Sequence, residues 1–328
     1  MSSFGARGRA RLVAVASLAI GAAIVACSGF ATSPTNDAPE SGAEGSTTEP
    51  SIDGAPIDAG PEASTAWIPC SQRQKDPAHF CDDFDYQAGD VTQRWNGSCL
   101  SDIGNCGQSP EALTLPRAFN AHTDKGPIPK RAQLVLNKDQ TLDVSKRTSI
   151  VLSFWMKVKG NPFPDTGGAG RYTHVAVLEL DDPLCPTSGN SKQRSVEISF
   201  FATTTTPAAP PVLRMATKGM NDRCLADGGG PPDMETESAL VDVAYFTGAY
   251  HHLTVAMKRD VPCTQGPGSG GSVTLQIDSD APKCLPVVGA FARAKKLKLL
   301  LGQFVGAIQD VTAEEFDVQY DNVTFDID

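Results

Sequence analysis

The stretch TGAYHHLTVAMKRD, residues 247–260, decides how this chain is read, because it sets His251 and His252 side by side at the head of an apolar run. In an extended strand, successive side chains leave on opposite faces. His251 then shares a face with Leu253, Val255 and Met257, while His252 shares the other with Thr254 and Ala256. Histidines placed that way cannot jointly hold one metal or relay a proton. The pair reads as the start of a half-buried strand.

The same pattern extends outward in both directions. AQLVLN, SIVLSFWMKV, THVAVLEL, SVEISFF, SVTLQID, KLKLLLGQFVG and FDVQYDNVTFDI are short runs rich in β-branched or aromatic residues. Several alternate with period two, as Val196, Ile198 and Phe200 do against Glu197 and Ser199. The nearest thing to an amphipathic helix, AFARAKKLKLLLG, is short. About ten such runs, punctuated by 30 Gly and 24 Pro, predict an all-β antiparallel β-sandwich of jelly-roll type.

The order of the pieces resembles a known family. FCDDFDYQAGDVTQRW (80–95), SIVLSFWMKV (149–158), GAYHHLTVAM (248–257), GSVTLQIDSD (271–280) and FDVQYDNVTFDID (316–328) follow one another as in laminin-G-like and concanavalin A-like lectin domains. In that family an Asp-Phe start leads to a Trp, a His-His strand precedes a strand ending in Asp-Gly, and the last strand carries an Ile-Asp-Asn-Val pattern. The resemblance covers 79–328. Tyr250 stands where the family has Trp, and Ser279 follows Asp278 where Gly is usual. Such sandwiches bring the first and last strands together, which would set Asp83 and Asp85, with Asp82, near Asp321 and Asn322. Calcium takes about six to eight oxygens, so these acids are its expected ligands. The acidic run PPDMETESALVD is a second, weaker set.

The N-terminus indicates a destination. Arg7, Arg9 and Arg11 precede LVAVASLAIGAAIVAC, an apolar run short for a bilayer span that ends in small residues. IVAC resembles the lipobox of bacterial lipoproteins, so residues 1–26 are expected to be a signal peptide and Cys27 the lipidated first residue of the mature chain. Ser28 and Gly29 follow Cys27, with no Asp in the second place, which favours the outer membrane on that resemblance. Residues 27–66 then form an acidic tether too poor in apolar groups to fold, and 67–328 one sandwich domain. Losing the three arginines moves the net charge from −10 to −13. That balance argues against nucleic acid as a partner and leaves the lipid anchor as the contact with the membrane.

Nine cysteines are present, and lipidation of Cys27 leaves an even number in an exported chain, the signature of disulfides. Proximity favours Cys70 with Cys81, Cys99 with Cys106, Cys185 with Cys224, and Cys263 with Cys284, other pairings remaining open. Their wide spacing argues against zinc.

Catalytic signatures are incomplete. Glycanases on this kind of fold project two or three carboxylates from one strand. LELDDPLC offers Glu179 and Asp181 but Pro183 or Leu184 where a third would stand, and SVEISFF adds only Glu197. The sequence therefore predicts no enzyme but a surface-anchored module that binds an extracellular glycan or protein. A polysaccharide-active hydrolase or lyase and a ligand-free structural envelope protein are the alternatives. Sugar rings stack on exposed aromatics. Trp95 and Trp155 read as packed residues, leaving Tyr172, beside the Gly-rich TGGAGR loop, as the candidate ligand-binding residue. Replacing Cys27 with Ser is expected to abolish metabolic labelling with palmitate, and labelling that persists would refute the lipoprotein reading.

Overall fold

The computed structural model describes residues 69–328 except 74–77, 86–91, 93, 96–98, 115, 139–143, 164–170, 182–192, 203–209, 219–233, 238–240, 264–270, 288–295 and 307–311. Nearly all the regular structure among them is β, arranged in two antiparallel sheets packed face to face. The first sheet runs, in spatial order, β14 (Lys283–Val287), β13 (Gly271–Ile277), β12 (His251–Lys258), β7 (Ser149–Lys159), β17 (Phe316–Ile327), β4 (Ala118–Thr123) and β3 (Gly104–Ser109), with β1 (His79–Asp82) also pairing with β17. The second runs β11 (Met234–Glu237), β10 (Val212–Lys218), β9 (Gln193–Ala202), β8 (Arg171–Asp181), β15 (Lys296–Gly306), β6 (Lys130–Lys138) and β2 (Leu100–Asp102). β5 (Gly126–Pro127) and β16 (Thr312–Ala313) form a small ribbon. The all-β sandwich expected from the sequence is the fold observed.

Period-two alternation builds the core. Ile150, Leu152, Phe154, Met156 and Val158 of β7, with Leu253, Val255 and Met257 of β12, point inward from the first sheet. Ala132, Leu134 and Leu136 of β6, with Leu297, Leu299 and Leu301 of β15, meet them from the second. The stretch that opened the sequence reading is thus a strand between β7 and β13. His251 Nδ1 lies 2.7 Å from Asp278 Oδ2. His252 packs on Trp155 with ring centroids 5.0 Å apart, its Nε2 2.6 Å from Ser153 Oγ.

Two strands break the alternation. In β17 the register shifts between Asp321 and Thr324, so inward positions pass from Phe316, Val318 and Tyr320 to Val323, Phe325 and Ile327. In β8 it shifts between His174 and Ala176 against β9. Ala176, Leu178 and Leu180 face the core together with Val175, the extra residue. A bulge leaves its extra residue out of the ladder, and a buried carbonyl there needs a partner. Tyr320, fully buried in the opposite sheet, donates its hydroxyl to Val175 O at 2.8 Å. Gln303 of β15 adds a second polar link between the sheets, donating Nε2 to Ala121 O at 2.6 Å and Phe316 O at 2.8 Å.

Three disulfides brace the described residues: Cys70–Cys81, Cys99–Cys106 and Cys263–Cys284, with Cα separations of 5.3, 5.9 and 5.8 Å. Cys185 and Cys224 lie outside the described residues, as do Cys27 and the tether. Replacing Tyr320 with Phe leaves the Val175 carbonyl buried without its donor. The expected cost is about 1–3 kcal/mol, read as a lower midpoint in urea denaturation with an unchanged slope.

Candidate functional site

The bulge in β8 decides what the outer face of the seven-stranded sheet displays. Continued in strict alternation from Ala176, Leu178 and Leu180, the strand would turn Tyr172 and His174 into the core. The shift at Val175 reverses the parity, so Thr173 is buried and Tyr172 and His174 emerge half-buried on the outer face. Phe304 of β15 joins them there. The Tyr172 and His174 rings lie 4.7 Å apart, and the His174 ring stacks on Phe304 at 5.8 Å. Tyr172 lies opposite Gly306, where an added Cβ would stand 2.6 Å from the Tyr172 ring. Only a residue without a side chain lets the phenol lie flat across β15.

Polar groups surround these rings. His174 Nδ1 lies 2.7 Å from Ser199 Oγ and Nε2 3.9 Å from Glu197 Oε2, whose other oxygen accepts from Ser195 Oγ at 2.8 Å. Burial pushes the Tyr172 phenol above its ordinary value and the Glu197 charge adds to the effect, so the hydroxyl stays protonated at neutral pH. Further along the face, the Arg131 guanidinium lies 5.0 Å from the Phe304 ring centroid and that of Arg214 4.3 Å from Phe201. A phenol that holds its proton, an imidazole beside it, aromatic platforms and flanking cations form a surface able to stack a sugar ring, hydrogen-bond its hydroxyls and move a proton.

No family model matches the chain, and no curated protein is similar to it in sequence. Solved structures similar to it include the alginate lyase Aly36B (TM-score 0.46, 12% identity, covering 76% of this chain and 97% of that one). Another is the alginate lyase vAL-1 from Chlorella virus (TM-score 0.41, 9% identity, 70% and 91%). A third is the binding domain of Botulinum neurotoxin DC in complex with rat synaptotagmin II (TM-score 0.39, 10% identity, 70% and 43%). The expectation that the chain is not an enzyme is corrected here, since two of these three are lyases. At such identities the likeness goes no further.

The residues singled out from the sequence are distributed as follows. Tyr172, expected exposed, is half-buried within the aromatic cluster. Trp95 is buried and donates Nε1 to Asp82 Oδ2 at 2.8 Å, whereas Trp155, expected in the core, is half-buried on the outer face of the other sheet because only its even-numbered neighbours point inward. Glu179 is held by Lys298 at 2.9 Å. His174 carries no sequence signal of its own, lying in a continuous apolar run that hides the bulge.

The acids expected to bind calcium are engaged by the protein. Asp83 accepts from Cys70 N at 3.2 Å and from Arg94 Nη1 at 3.4 Å, while Asp85 is exposed. Asp321 accepts from Thr114 N at 2.8 Å and from Asn322 N at 2.7 Å. Among the described residues, the group whose ligand atoms all fall within 4.8 Å is instead His122, Glu315 and Asp317. Asp317 Oδ1 there already contacts His122 Nδ1 and accepts from Asn120 Nδ2, each at 2.9 Å. Burial lowers the affinity of His122 for a proton, but the hydrogen bonds and charges of Asp317 and Asp124 outweigh it and raise its pKa.

Burial raises the Asp321 carboxyl from 3.8 to about 6, against the lowering effect of its hydrogen bonds. The folded state therefore holds this proton more tightly than the unfolded chain. The resulting stabilisation is fully present below pH 3.8 and is lost as pH rises through about 6. Asp321→Asn is expected to remove on the order of 3 kcal/mol of this pH dependence, seen by comparing urea midpoints of the two proteins across that window.

Proposed function

We propose that the chain is an exported, lipid-anchored, concanavalin A-like sandwich that recognises a polysaccharide on the outer face of its seven-stranded sheet. The observation that carries this reading is the convergence of Tyr172, His174 and Phe304 there, with Ser199 and Glu197 beside them. A sugar ring presents an apolar face and a rim of hydroxyls, and this surface offers aromatic area together with donors and acceptors for that rim.

The pairing of Tyr172 with His174 favours a second reading, in which the bound glycan is cleaved by β-elimination. His174 would take the proton on the carbon next to a uronate carboxylate; the electron pair left behind forms the double bond as the bond to the glycosidic oxygen breaks, and Tyr172 protonates that oxygen. Hydrolysis by a carboxylate pair is less well served, because Glu179 is tied to Lys298.

A panel of neutral and acidic polysaccharides is the direct test, run with calcium and again with EDTA, following retention and the ultraviolet absorbance of an unsaturated product. Retention without product supports a binding module, and product supports the lyase. Retention lost in EDTA would give calcium a role. Tyr172→Phe and His174→Ala are each expected to lower product formation by roughly 100-fold or more if these groups transfer the proton. Both variants acting like wild type, or no retention and no product on any glycan, would refute the assignment of this face.

A further inference from the structure

The strand registers place five side chains of the outer face in one line. Arg131 of β6 is the cross-strand partner of Phe304 in β15, Phe304 of His174 in β8, His174 of Ser199 in β9, and Ser199 of Arg214 in β10. The line therefore runs perpendicular to the strands, with an arginine at each end and the rings at its centre. Four strand spacings separate the arginines, roughly 19 Å along the sheet.

The arginines are held but not neutralised. Each guanidinium lies over an aromatic ring, and the Nε of each is buried without a hydrogen-bond partner. Burial also lowers the pKa of Arg214, the mark of a cation kept from water without a compensating charge. Among the described residues, Glu179 is held by Lys298 and Glu197 lies against Ser195 and His174, while Asp102, the cross-strand partner of Arg131 in β2, is exposed and forms no ion pair with it. A guanidinium stacked on a ring still presents its planar edge, which suits a carboxylate or sulfate.

From this arrangement we infer that the ligand is a polyanionic glycan lying across the strands, its anionic groups gripped at two points by Arg131 and Arg214, with the sugar between them stacked over Phe304 and His174. This rests on the glycan reading above and adds charge, direction and length to it. The distance between the arginines is too great for one or two sugar rings to bridge, so both grips engage only a longer oligosaccharide.

Calorimetric titration of the purified chain with a ladder of oligouronates, matched neutral oligosaccharides and a sulfated glycan tests the inference. Affinity is expected to rise sharply once the uronate is long enough to reach both arginines, with the neutral series binding far more weakly. Arg131→Gln and Arg214→Gln should each weaken binding of the long oligouronate about tenfold, the loss of one charge-assisted contact, and should remove the length threshold at unchanged melting temperature. Tight binding of the sulfated glycan alone would keep the inference and identify the anion. Neutral and acidic oligosaccharides binding equally would overturn it while leaving the glycan reading in place. Failure of every oligosaccharide to bind would overturn both. The ladder on the unmodified chain gives its answer even if a variant does not fold.

Discussion

The hydrogen bond from Tyr320 to the carbonyl of Val175 joins the interior of this protein to its surface chemistry. Val175 is the residue by which β8 exceeds its neighbour β9, and its carbonyl accepts from the Tyr320 hydroxyl at 2.8 Å. Left unsatisfied in the core, that group would make the bulge costly and an evenly paired strand preferable. With Tyr320 in place the irregular register is tolerated, and every residue on the N-terminal side of Val175 in β8 changes face. The exposure of Tyr172 and His174 on the outer sheet is therefore determined from the opposite sheet, through the middle of the sandwich.

An acidic chain that presents arginines to a ligand has to do so locally. The net charge of −10 repels polyanions at long range. Within the line across β6, β15, β8, β9 and β10, however, the two guanidinium groups are spared internal carboxylate partners and rest on aromatic rings. Elsewhere in the sandwich the reverse is found: Asp82, Asp83 and Asp321 are buried and spend their oxygens on Trp95, Arg94, Thr114 and neighbouring backbone amides. Acids of this kind lock turns at strand ends and are poorly placed to meet a ligand.

The architecture was legible from the sequence because it depends on a period. The alternation in SIVLSFWMKV and HHLTVAMK needs no context to be read, and both segments are strands with the inward residues that alternation assigns. The face bearing Tyr172 was legible only in part. Alternation counted along THVAVLEL puts His174 on the core side with Ala176 and Leu178, and the bulge that departs from it has its carbonyl satisfied by Tyr320, 145 residues away in sequence. The alignment of Arg131 with Arg214 is likewise a product of register across five strands. Trp155 was misjudged for a related reason: its run is apolar on both sides, and only the pairing with β12 and β17 shows which side is inner.

The Cys99–Cys106 bond has a consequence for the open edges of the two sheets. Cys99 leads directly into β2, an edge strand of one sheet, and Cys106 lies within β3, an edge strand of the other. The bond therefore seams the two sheets along one flank, as a hem closes the open side of a folded cloth. Unpaired strand edges are where proteins recruit one another into aggregates, and a covalent closure of this flank keeps the two edges from parting. The seam binds residues only 7 apart in sequence, so it can close early and hold that flank shut before the distant strands of either sheet have found their places.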